Sequence, residues 1–173
     1  MELKEKYFKD LNRVRVETLY SDVYVSVLTG TIVSIAFSII VAADIPRHIL
    51  LTWLLFILIG GAYRIFLRYQ FHSTRFEHSD KEWLQKFHFS TCFVALLWGI
   101  FPLLTINLIP THKETFITVI LLGLAAGGTI SNLASKKTAY FYGLNIVFFN
   151  ALKVWIEGKE GALLFSVALI FFM

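Results

Sequence analysis

Six apolar stretches divide most of this 173-residue chain, and that pattern leaves few folds open. They cover residues 23–43, 49–67, 87–109, 116–134, 139–155 and 161–173. A bilayer core of about 30 Å needs roughly 20 helical residues, and the first five stretches come close to this length or exceed it. The sixth is shorter and stops on an apolar Phe171-Phe172-Met173, so we expect the natural chain to continue. The sequence therefore predicts an all-α, polytopic transmembrane helix bundle with six spans, of which the sixth is truncated.

The basic residues are distributed unevenly between the two sides of such a bundle. If the N-terminus is cytoplasmic, 12 of the 16 Lys and Arg residues lie on the cytoplasmic side. The positive-inside rule favours this orientation, which with six spans places both termini in the cytoplasm. A basic inner face beside anionic lipid also accounts for the net charge of +4, so we expect the lipid bilayer as a partner and no nucleic acid.

The segment before the first span is charged and amphipathic. Leu3, Tyr7, Leu11, Val14 and Thr18 recur there at close to helical spacing, and the segment is too acidic for a signal peptide. We interpret residues 1–21 as a cytoplasmic N-terminal segment, either a helix lying on the inner leaflet or a contact in a homodimer. Residues 22–173 then form the transmembrane domain.

Small residues recur every four positions along the fourth stretch, at Gly123, Gly127, Ser131 and Ser135. A stripe of small side chains lets two helix backbones approach closely in a membrane, where dispersion contacts and hydrogen bonds drive association. We interpret these four residues as a helix-packing surface. Both packing within one subunit and a contact between subunits remain open.

Several polar and aromatic side chains fall inside the apolar stretches. Asn132 and Asn145 need hydrogen-bond partners there, which either neighbouring helices or a ligand could supply. Trp98 is deeper in its stretch than the other tryptophans and is a further candidate for a ligand pocket. We therefore predict Trp98, Asn132 and Asn145 as ligand-binding candidates, and we expect Arg64 to extend its guanidinium towards the inner surface.

The sequence contains none of the patterns that carry common catalytic chemistry. It has no Gly-rich phosphate loop, no G-x-S-x-G and no H-E-x-x-H. Its five histidines lack the spacing that places two metal ligands on one helix face. We expect no catalytic residue, metal or cofactor in these residues. The loops on the outer side are very short, so a ligand would be a small molecule or come from the membrane itself.

Taken together, the order of several features resembles a known kind of domain. Tyr24 opens the first span, Trp53 to Arg64 lie in the second, Leu97-Trp98-Gly99 in the third, and Gly123-Leu124-Ala125-Ala126-Gly127 in the fourth. This order resembles the multi-helix membrane sensory domains at the N-terminus of bacterial signalling proteins. Such domains precede GGDEF domains, often with EAL, or histidine kinase cores.

The resemblance implies a function and a location. It implies a sensory and anchoring domain in the bacterial inner membrane that acts as a homodimer and controls a cytoplasmic output enzyme, with a cyclic-di-GMP-synthesising GGDEF domain as the first expectation. A sensor histidine kinase and a small membrane transporter are the alternatives. Because transporters usually place ionisable residues at the midplane, the scarcity of such residues in the spans disfavours the last.

Overall fold

A computed structural model describes residues 2–75 and 77–158 of the chain. The described residues form six helices and no strand. The helices are α1 (Glu2–Ser21), α2 (Val23–Val41), α3 (Arg47–Ser73), α4 (Asp80–Leu104), α5 (Thr111–Ser131) and α6 (Lys136–Ile156). The predicted all-α class is confirmed for this part of the chain. The predicted sixth span, residues 161–173, lies outside the described residues.

Within the described residues, five helices are long and apolar enough to cross a membrane, judged by their length and composition. They overlap the first five predicted spans, whose existence is therefore confirmed in these terms, although the ends of several helices differ from the prediction. The first is α2 with the part of α1 that leads into it, and the others are α3, α4, α5 and α6. From α2 to α6, short connections make successive helices antiparallel, so one end of the bundle contains Asp22 and the other contains Asp44. We call these the Asp22 end and the Asp44 end.

The ends of α4 differ from the predicted third span, and local signals explain why. The helix begins seven residues earlier than predicted, at Asp80, because Ser79 and Glu82 form a reciprocal capping box. It ends at Leu104, shortly after Pro102. Asn107 then adopts a left-handed backbone conformation with φ of 59°, which turns the chain away from the helix.

The main core lies between α2, α3, α4, α5 and α6. At its centre, Trp98 of α4 packs edge-on against Trp53 of α3 with ring centroids 5.0 Å apart, and Phe37 of α2 contacts both rings. The Trp53 indole also donates a 2.8 Å hydrogen bond to the carbonyl of Leu97. Aromatic stacking and this hydrogen bond hold α2, α3 and α4 together.

Helix α1 packs on the bundle near its junction with α2, and whether it lies on the inner leaflet or contacts a second subunit stays a prediction. The backbone stays right-handed helical at Asp22, so α1 continues almost directly into α2. Near the junction, Tyr20 stacks on Phe71 of α3 and donates a hydrogen bond to the carbonyl of Trp83 in α4. The buried aromatic side chain therefore fixes the second half of α1 to the bundle.

Candidate functional site

A cavity of about 490 Å³ lies between α2 and α5. This volume is within the range of pockets that hold small ligands. Its walls combine small, polar and aliphatic side chains. They are Asp22, Val25, Ser26, Thr29, Gly30 and Val33 on one side, Ile120, Gly123, Leu124, Gly127, Gly128 and Ser131 on the other, and Tyr142 of α6.

Glycines create much of this space. Among the described residues, a Cβ atom built at Gly30, Gly123 or Gly127 would have no heavy atom of another element within 4 Å. The backbones of α2 and α5 are therefore too far apart at these positions to pack against each other. The cavity is a gap between two helices and not a tight helix–helix contact.

Arg64 of α3 lies directly behind the α2 wall of the cavity. It is 6% exposed, and its Nη1 donates a 3.1 Å hydrogen bond to the hydroxyl of Ser26. Its Nε has no hydrogen-bond partner among the described residues, and its guanidinium carbon lies 5.6 Å from the ring centroid of Phe87. Within the described part of the chain, no carboxylate forms an ion pair with this guanidinium.

The surroundings of Arg64 connect it to the cavity. Arg64 lines a second cavity of about 20 Å³, which shares Ser26 and Gly30 with the larger one. This second cavity has space for about one water molecule. A positive charge therefore lies one side chain away from the cavity.

The buried position of Arg64 corrects our expectation that it extends towards the inner surface. Arg64 is the eighteenth of 27 residues in α3, so about 13 Å of helix separates it from Ser73. Instead of extending along that length, the side chain turns between α2 and α4. The apolar run around an arginine is the sequence signal for such a burial, but the partner helix cannot be identified from the sequence.

The three predicted ligand-binding candidates lie away from this cavity. Trp98 is 1% exposed and fills the main core. The Asn132 side chain caps α5 by donating a 2.6 Å hydrogen bond to the carbonyl of Gly128. Asn145 places its Oδ1 against Gly99 of α4, and this oxygen has no hydrogen-bond partner. The structure does not bring these three residues together.

Three of the four predicted packing residues line the cavity. Gly123, Gly127 and Ser131 face it, whereas Ser135 lies just before α6 and its Oγ is 2.8 Å from the Oγ1 of Thr138. Close packing of α5 within the chain occurs next to the stripe, at Gly128, where an added Cβ would overlap the ring of Tyr142. A contact of the stripe with a second subunit stays a prediction.

A buried ion cluster lies at the Asp44 end, away from the cavity. Lys153 of α6 forms ion pairs with Glu114 of α5 and, at 3.5 Å, with Glu157. Glu157 also accepts a 3.2 Å hydrogen bond from the backbone N–H of Asn107. Lys153 is 5% exposed, so the cluster fixes the end of α6 to α5 and to the loop after α4.

The described residues contain no group of three or more His, Cys, Asp or Glu side chains that could hold a metal ion. A comparison of the chain with protein-family models, with curated proteins and with solved structures gave no match. The chemistry of the cavity and of Arg64 is therefore the basis for the functional argument.

Proposed function

We propose that this chain is a membrane-embedded sensory and anchoring domain of a bacterial signalling protein, in which the cavity between α2 and α5 receives the signal. It acts in the inner membrane and controls a cytoplasmic output enzyme. A GGDEF domain that synthesises cyclic-di-GMP is the first candidate for that enzyme, and a histidine kinase is the second.

The observation that carries this proposal is the cavity itself, with a charged side chain behind its wall. A gap between two helices can be closed or held open by a bound molecule, and a ligand shifts a conformational equilibrium when it binds one state more tightly. Here the bound molecule would touch α2 and α5, and α5 in turn packs on α6. Occupancy would therefore change how three helices meet.

The orientation belongs to the same proposal. The Asp22 end lies in the cytoplasm, because most Lys and Arg residues are on that side. Reporter fusions after Arg75 and Lys137 should then report a cytoplasmic position, and fusions after Arg47 and Glu157 a periplasmic one. The opposite pattern at either pair of positions would refute this orientation.

The function is tested by filling the cavity in the full-length gene product. Gly127→Phe places a large ring where a Cβ meets open space. Leu28→Phe is the matched control, because Leu28 lies on α2, is 64% exposed and does not line the cavity. At equal abundance in the membrane, we expect Gly127→Phe to change cellular cyclic-di-GMP by severalfold and Leu28→Phe to leave it unchanged.

Two other outcomes discriminate between the hypotheses. A change in autophosphorylation with constant cyclic-di-GMP would identify a histidine kinase as the output. If neither output responds to Gly127→Phe, the cavity does not receive the signal and the proposal fails.

A further inference from the structure

The large cavity is chemically ordered along its length. The helix rise of 1.5 Å per residue places Ser26 about 6 Å from Asp22 and Val33 about 10 Å beyond Ser26. α5 is antiparallel and matches this order, with Ser131 at the Asp22 end and Ile120 beside Val33. From the Asp22 end inward, a ligand would therefore meet a carboxylate, then Ser26 with Arg64 behind it, and then an apolar channel lined by glycine and aliphatic side chains.

Arg64 is the feature that points to a ligand. It is 6% exposed. In the part of the chain that the structure describes, its Nε has no hydrogen-bond partner, and its contacts are a neutral hydroxyl and an aromatic ring. A cation inside a bundle is costly unless it is paired. Guanidinium groups bind phosphate especially well because their N–H donors match its oxygens.

The carboxylate at the entrance narrows the choice of ligand. Asp22 is exposed and lines the same cavity, where it would repel a ligand that carries only negative charge. A group with a positive charge outside its phosphate would instead be attracted. Along the cavity, the carboxylate, the guanidinium and the apolar channel would match, in the same order, the ammonium, the phosphate and an acyl chain of a lipid.

We propose that the cavity between α2 and α5 binds a phospholipid with an ethanolamine head group. Its phosphate lies at Ser26 and is bound by Ser26 and Arg64, its ammonium faces Asp22, and one acyl chain follows Gly30 and Gly123 towards Val33. This inference rests on the proposed function and deepens it, because it gives the chemical class of the molecule that the cavity receives. Binding can be measured without any output enzyme, so its failure is distinguishable from a failure of the sensory role.

The test uses the full chain purified in detergent and depleted of lipid. Native mass spectrometry then measures the retention of added phosphatidylethanolamine, phosphatidylcholine and phosphatidylglycerol with identical acyl chains. We expect at least tenfold preference for phosphatidylethanolamine over the other two. Choline cannot donate a hydrogen bond to Asp22, and phosphatidylglycerol has no cation for it.

Variants assign the preference to the two charged residues. Arg64→Gln should reduce binding of all three lipids at least tenfold, whereas Asp22→Asn should remove the preference for phosphatidylethanolamine over phosphatidylglycerol. Arg68→Gln is the matched control. Arg68 is also on α3, but its guanidinium carbon lies 4.0 Å from the ring centroid of Tyr24 and its Nη1 donates to the carbonyl of Ser21, whereas Arg64 donates to Ser26 on the cavity wall.

Circular dichroism shows whether each variant folds. If Arg64→Gln does not fold, Ser26→Ala and Asp22→Asn are tested in its place. Both residues line the cavity, and each of these substitutions changes a smaller side chain than arginine. Equal retention of the three lipids by the wild-type chain would overturn the proposal. So would a lipid-free dimer that is cross-linked by a disulfide in Gly123→Cys or Gly127→Cys and that excludes phosphatidylethanolamine.

Discussion

Among the described residues, helix α5 meets α6 and α2 in opposite ways. Towards α6, Gly128 lies directly under the ring of Tyr142, so no larger residue fits without movement. Towards α2, Gly123 and Gly127 face open space. We call the contact of α5 with α6 and its contact with α2 the two seams of α5. Glycine permits close approach at the seam with α6 and leaves a gap at the seam with α2, although the residues are close in the sequence.

The ion pairs at the Asp44 end show the same difference between the contact of α5 with α6 and its contact with α2. Lys153 joins α6 to Glu114 of α5 in a buried pair, with the lysine side chain 6% exposed. Lys113 at the start of α5 pairs at 2.7 Å with Asp44, which follows α2, and its side chain is 29% exposed. The comparison indicates that α5 and α6 form a fixed pair, whereas the seam between α2 and α5 is the one that can adjust.

The largest expected loss of stability follows from replacing Lys153, and Lys113 serves as the comparison. Lys153→Met should destabilise the fold by about 3–5 kcal/mol, because it removes a buried cation that is paired with two carboxylates. Lys113→Met removes a more exposed pair and should cost about 1 kcal/mol or less. Thermal unfolding in detergent measures both. If the two variants lose equal stability, the two seams are equally tight and the comparison is wrong.

Replacing each of two adjacent glycines by alanine adds one methyl group at each seam. Gly128→Ala should destabilise the fold by about 1–3 kcal/mol, because its Cβ overlaps Tyr142. Gly127→Ala should stabilise it by up to about 1 kcal/mol, because alanine is the better helix former and the space is open. The melting temperatures should therefore move in opposite directions. A decrease for both would place another chain segment or subunit against Gly127.

The smallest effect is expected from a pair of threonines. Thr129 of α5 donates hydrogen bonds to the carbonyl of Ala125 at 2.7 Å and, across the seam, to that of Ala139 at 3.4 Å. Thr129→Val should cost about 0.6 kcal/mol, the average for interhelical polar contacts in membranes. Thr29→Val, on the cavity wall, should be nearly neutral in the same unfolding assay. A larger loss from Thr29→Val would show that its hydroxyl has a partner across the cavity.

The sequence predicts the helices well, because a long apolar run has few alternatives to a helix. The start of α4 was missed because the capping box of Ser79 and Glu82 lies in a polar segment that resembles a loop. The site was harder to predict. Gly123, Gly127 and Gly128 are all glycines close together on one helix. Only the position of α6 decides which of them is closely packed, and the sequence does not show that position.

Arg64 illustrates the same limit for charges. Its place in an apolar run marks it as unusual, but a long flexible side chain can reach the surface or turn inward. The choice depends on Ser26, which is 38 residues earlier and comes close only when α2 and α3 pack. Contacts of this kind depend on tertiary structure and cannot be inferred from local spacing.

The almost unbroken passage from α1 into α2 has a mechanical consequence. A helix resists twisting about its axis far more than a loop does, because each peptide is hydrogen-bonded to the next turn. A rotation of α2 that accompanied a change in the cavity would therefore turn α1 as well, and with it the face that holds Tyr20 against Phe71 and Trp83. The continuous backbone of α1 and α2 would then transmit a rotation of α2 to the Asp22 end of the bundle, without any contact through the loops.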